Sequence, residues 1–215
     1  MLRRVSSVLI GTALVCVMAT SLVAEVQHEY FGIAAVVLVC FHVIAERKRL
    51  AALVLGKKNA HAALSLLLLV ALVALVVGIG WSSLVLSKHA FGFLPAFPGA
   101  VLARKVHLSC TYWLFMVAFA HAGLDIRVPR KKPSVPIAVV GVAAAAAVVA
   151  FGVWSFVDLN LVGYLSLSID FAFADITKTI PFLALQWAAI GLGVMAVVFA
   201  LRCAMRPLTR KKHDN

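Results

Sequence analysis

Two apolar runs carry histidine at a repeated interval. His28 and His42 bracket HEYFGIAAVVLVCFH, and His107 and His121 bracket HLSCTYWLFMVAFAH, so each pair is fourteen positions apart. On an α-helix fourteen residues advance about 1,400°, four turns less roughly 40°, and rise about 21 Å. Both histidines of a run then face nearly the same way, at opposite ends of a bilayer's hydrocarbon. Neutral imidazole is a good ligand for iron, and a haem slotted between two helices takes one axial nitrogen from each. Zinc would want three or four ligands with cysteine or carboxylate nearby, and the sequence offers no such cluster at these levels. The four cysteines, Cys16, Cys40, Cys110 and Cys203, form neither CxxC nor CxxCH. That removes a zinc ribbon and covalent haem attachment and leaves them as small buried hydrophobes.

The elements that must position these histidines follow from composition. Of the 215 residues 64% are hydrophobic and only 13% charged, with a mean hydropathy of +1.05, against about 25% charged in soluble domains. Six runs have the length and apolar character of a membrane-crossing helix, at about 6–24, 28–45, 61–86, 106–124, 135–157 and 181–202. The prolines, among them Pro95, Pro98, Pro133, Pro136 and Pro181, fall in connectors and at helix starts, where a missing N–H does least harm. The expected fold is an all-α membrane protein of six transmembrane helices. Residues 1–126 form a four-helix haem-binding bundle, 127–203 two further helices, and 204–215 a basic cytoplasmic tail. The first run, MLRR followed by an apolar stretch, also has the form of a secretory signal peptide. Its uncharged length favours a retained helix.

The formal charge of +12 is distributed as a topology signal rather than as a nucleic-acid surface. With alternate loops on opposite sides, Arg3, Arg4, Arg47, Lys48, Arg49, Lys57, Lys58, Arg127, Arg130, Lys131, Lys132, Arg202, Arg206, Arg210, Lys211 and Lys212 share one side. Only Lys88, Arg104, Lys105 and Lys178 fall on the other, beside Glu25, Glu29, Asp158, Asp170 and Asp175. The excess of cations on one side places both termini in the cytoplasm, with lipid rather than nucleic acid as the partner.

In that topology the second and fourth helices run in the same direction. His28 is then level with His107 near the outer surface, and His42 with His121 near the cytoplasmic one. Along the seams lie Gly32, Ala35 and Val39 on one helix and Thr111, Leu114 and Ala118 on the other. Small residues such as Gly32 let a flat macrocycle approach the backbone, although ordinary helix packing in lipid uses them too. Haem propionates are placed most cheaply beside cations at the membrane edge. Arg104 and Lys105, just before His107, meet that need outside, where cations are otherwise scarce. The remaining histidines, His61, His89 and His213, are read as interfacial or exposed. The long outer connectors, about 87–105 and 158–180, hold candidates for handling coupled protons in His89, Asp170 and Asp175, with Glu25 and Glu29 beside them.

The HEYFG opening at 28–32, the histidines fourteen apart on two helices and the RKVH sequence leading into the fourth helix resemble the flavinylation-associated integral membrane cytochromes b. These are similar to other bacterial di-haem cytochrome b subunits and, more distantly, to ferric-reductase-like membrane domains. The resemblance covers residues 1–125. It implies a bacterial cytoplasmic-membrane protein that passes electrons through two b-type haems, with His28, His42, His107 and His121 as iron ligands. The implied partner is an extracytoplasmic flavin-bearing or other redox protein, and quinone is a further candidate. The chain would be the membrane subunit of a redox system rather than a complete enzyme. Two other readings stay open: a haem-free transporter or proton relay that uses the same histidines, and an assembly subunit with no chemistry.

Overall fold

A computed structural model of the chain describes residues 2–21, 24–56, 59–95, 97–126, 134–169, 171–172, 175 and 177–210, with side chains outside 2–4 and 205–210. The regular structure among them is helical: α1 (Leu2–Thr20), α2 (Glu25–Leu55), α3 (Ala60–Leu86), α4 (Ala100–Asp125), α5 (Val135–Asp158), the short α6 (Leu161–Leu165) and α7 (Ile180–Arg210). The long helices coincide with the six apolar runs and mostly exceed them. α2 continues ten residues past the expected end because ERKRLAALVL is built of strong helix formers. α7 runs through Arg210, so the expected boundary at 203 is not a helix end. The side chains of Arg3, Arg4, Arg206 and Arg210, and Lys57, Lys58, Arg127, Arg130, Lys131, Lys132, Asp170, Lys211, Lys212 and His213, lie outside the described set.

Local chemistry explains the helix ends. The Asn59 side chain accepts from the Ala62 N–H at 2.8 Å and caps α3. Ser134 precedes α5 with Pro136 in its first turn, and Gly99, at φ 94°, turns the chain into α4. At the other end of α4 the Arg202 guanidinium donates to the carbonyls of Leu124 and Ile126, satisfying acceptors that a helix C-terminus leaves open.

Among the described residues four helices are long and apolar enough to cross a membrane: α2, α3, α5 and α7 as far as Ala204. The apolar part of α1, Val5–Thr20, is shorter, and α4 is diluted by His107, Ser109, Thr111, Tyr112 and His121. Both nevertheless lie along a neighbour in antiparallel pairs, α1 with α2 and α3 with α4. Outward faces are strongly apolar, as at Val70, Val77, Val139 and Val142, each at least 60% exposed, which is the surface lipid would cover.

The tightest packing lies off the axis of the first four helices. Met18 and Ala19 of α1, Tyr112, Phe115 and Phe119 of α4, Leu161 and Tyr164 of α6, and Trp187 and Ile190 of α7 form one buried cluster. Tyr112 and Tyr164 stack at 4.4 Å, and Phe115 meets Trp187 edge-on at 5.0 Å. α6 therefore belongs to the core, although its segment reads from sequence as part of an outer loop. Glycines set the spacing around α7. A methyl at Gly152 would lie 2.7 Å from the Ala189 carbonyl oxygen, and one at Gly123 2.7 Å from that of Met195. Both neighbours are backbone and cannot yield. α7 thus supports α4 directly, and α5 packs against α7 from its other side.

Candidate functional site

The α1/α2 and α3/α4 hairpins face each other with little backbone contact. α2 meets α3 and α1 meets α4 only briefly, and among the described residues no Cα of α2 comes within 8 Å of a Cα of α4. The space between the hairpins is where the four histidines stand.

At the outer end the sequence-predicted pair is brought together: the rings of His28 and His107 have centroids 6.1 Å apart and planes inclined by 75°. Their hydrogen bonds tie one nitrogen of each ring. His28 Nδ1 lies 3.0 Å from the Val17 carbonyl oxygen, which can only accept, so Nδ1 carries the proton and Nε2 keeps its lone pair. His107 Nδ1 is 3.2 Å from Ser82 Oγ, whose hydroxyl already donates to the Gly78 and Ile79 carbonyls at 2.8 and 3.0 Å. Ser83 Oγ lies 3.4 Å from the same nitrogen, so both hydroxyls anchor it. Anchoring one ring nitrogen and leaving the other basic is the arrangement that orients an imidazole as a metal ligand.

Below this pair the two seams carry small and half-buried side chains. A Cβ at Gly32 would meet nothing within 4 Å. On the opposite seam Thr111 Oγ1, one turn from His107, is buried and has no hydrogen-bond partner among the described residues. Ala35 is buried, and Leu114 and Ala118 are half-buried.

At the inner end no ring contact joins His42 to His121 among the described residues. His42 Nδ1 is 3.0 Å from Ser6 Oγ on α1, again tying Nδ1. His121 Nε2 is 4.0 Å from Asp125, and Asp125 accepts both terminal nitrogens of Arg49 at 2.6 and 2.5 Å. This bidentate pair spans from α2 to α4, and Glu46 adds a contact to Arg49 at 3.6 Å.

The outer polar residues divide between the start of α4 and the connectors. Arg104 lies over the Phe171 ring at 5.6 Å, a cation–π contact, and Lys105 is exposed beside a cleft of about 410 Å³ that also touches Ser109 and Tyr164. Lys88 pairs with Glu25 at 2.7 Å, and His89 stands 3.7 Å from the same carboxylate. Lys178 and Gln186 both donate to Asp158, at 2.5 and 2.7 Å. Asp175 accepts from the Thr177 N–H and hydroxyl, which holds its carboxyl below the ordinary range.

Sequence reasoning misses the Val17 carbonyl, Ser82, Ser6 and the Arg49–Asp125 pair. The only signal for Ser82 is a Ser–Ser step in an otherwise apolar run, and for Asp125 its place four residues after His121. Among the described residues no group of three His, Cys, Asp or Glu side chains is placed to hold a metal ion by itself. Searches among family models, curated proteins and solved structures return no match to this chain.

Proposed function

We propose that the chain is a membrane cytochrome b that carries electrons across the bilayer through two b-type haems, as the membrane subunit of a redox system. The observation that supports this most is the outer histidine pair. Imidazole nitrogens lie about 2 Å from a bound metal ion, so two such bonds plus the two ring radii bring the centroids to roughly 6 Å, close to the 6.1 Å between His28 and His107. Two imidazoles supply two bonds, and a macrocycle supplies the other four without further protein ligands. The hairpin gap, the open face at Gly32 and the buried Thr111 hydroxyl suit a flat group between the helices.

Within this reading each residue has a limited task. His28 and His107 hold the outer haem; the Val17 carbonyl keeps the His28 ring in one tautomer, and Ser82 and Ser83 anchor Nδ1 of His107. His42 and His121 hold the inner one, with Ser6 orienting His42. Arg104 and Lys105 offer cations to the propionates at the outer rim. Bound haem supplies a one-electron iron couple, and the protein sets its ligation, surroundings and spacing. Six crossings with both termini cytoplasmic, in the cytoplasmic membrane of a bacterium, complete the proposal. The outer haem is then the point of exchange with an extracytoplasmic flavin-bearing protein or with quinone.

The test is cofactor content. Protein purified from haem-replete cells is expected to hold about two non-covalent haems b per chain, read from the pyridine haemochrome and the dithionite-reduced spectrum. Colourless protein would sink the proposal and favour the proton-relay reading.

A further inference from the structure

The buried cluster ties α1 to α4, but no such packing joins α2 to α4, so the separation across the histidines needs another support on that side. Glu29, next to His28, reaches from α2 to the connector that follows α3. Its Oε2 accepts from the Ser87 hydroxyl at 2.7 Å and the Ala90 N–H at 2.8 Å, and its Oε1 from the Lys88 N–H at 3.0 Å. The His89 N–H is shared between the two oxygens at 3.2 and 3.3 Å. Three consecutive N–H groups around one carboxylate form an anion-binding nest, and hydrogen bonds to a charged acceptor are roughly twice as strong as neutral ones. The sequence offers Glu29 as a proton carrier, but its oxygens are committed to this turn.

Across the same gap, at the opposite end, stands the doubly hydrogen-bonded Arg49–Asp125 pair. Glu29 and His28 are adjacent on α2, and the turn at 87–90 continues from the helix whose Ser82 holds His107. A shift of the Glu29 carboxylate relative to that turn therefore changes the distance between the two rings. We propose that Glu29 is a positioning residue, the outer spacer that sets His28 opposite His107, with Arg49–Asp125 the inner one. As a statement about metal ligation this rests on the haem reading; as a statement about helix spacing it does not.

The experiment uses the full chain with its four cysteines replaced and spin labels at the exposed positions Tyr30 and Val101, so that the outer separation of α2 and α4 is read directly. Glu29→Ala should lengthen and broaden the distance distribution. Glu29→Gln should fall between it and the parent, because one carbonyl oxygen still accepts. Lys88→Ala, which removes the bridge to Glu25 but keeps the N–H bound by Glu29, should leave the narrow parental distribution. In the same samples Glu29→Ala should convert the outer haem from low-spin to high-spin as the sixth ligand is lost, with Gln largely restoring the low-spin signal. An unchanged distribution in Glu29→Ala, or equal broadening in Lys88→Ala, overturns the spacer. Broadening in Glu29→Ala with colourless parent protein sustains the spacer and removes the haem reading instead.

Discussion

His107→Ala is expected to lose one haem and only one, lowering the pyridine haemochrome from about two per chain to about one. His28→Ala should lose the same one, because the proposed ligation uses both of these rings, whose centroids are 6.1 Å apart. The reciprocal pair, His42→Ala and His121→Ala, should each remove the other haem and leave the outer intact. Redox titration resolves the two sites if their potentials differ, so each variant can be assigned by which step disappears. Loss of different haems in His28→Ala and His107→Ala would refute the shared ligation. The inner pair is the sharper test of helix direction, since His42 and His121 are tied to Ser6 and toward Asp125 rather than to each other. If removing either one leaves two haems bound, the inner site belongs elsewhere.

Phe115→Ala should produce the largest loss of stability of any single truncation in the chain. Phe115 is 1% exposed and sits between Phe119 at 4.8 Å and Trp187 at 5.0 Å. In a water-solvated core such a change costs about 3–5 kcal/mol, part of it transfer free energy and part the cavity, at about 24 cal/mol per Å³. In lipid the first contribution shrinks, because hydrocarbon already surrounds an unpacked helix. The cavity remains, so the expected cost is roughly 2–3 kcal/mol. Unfolding of the detergent-solubilised protein measures it, with Val139→Ala on the 61% exposed outer face of α5 as the control. Equal effects in the two variants would mean that the aromatic cluster is not the packed centre of the fold.

Much of this arrangement is legible in the sequence because membrane helices announce themselves by length and apolarity. The interval between His28 and His42, matched by that between His107 and His121, points to one face of each helix without any structure. The side-by-side placement of His28 and His107 follows once α2 and α4 are given the same direction. The partners of the ring nitrogens are not legible. Whether Ser82 or another residue of α3 meets His107 depends on how α3 is rotated and slid against α4, which is set where Gly78 faces Cys110, a contact between residues 32 positions apart that no local pattern announces. A Cβ at Gly78 would lie 2.9 Å from the Cys110 Sγ, so that glycine fixes the register. The tucked α6 is hidden for a related reason: Leu161 and Tyr164 look like loop residues until Tyr112 and Trp187 are beside them.

The neighbourhood of α1 and α7 has a consequence for how the protein is made. Met18 and Ala19 on the first helix share a buried cluster with Trp187 and Ile190 on the last, and Thr20 and Ile180 lie 160 positions apart in the chain. A ribosome adds about 5–20 residues each second, so roughly ten to thirty seconds separate the appearance of one from the other. Over that interval the first hairpin is already complete while the surface it will bury has no permanent companion. Lipid or a holding protein must cover it until translation delivers the final helix.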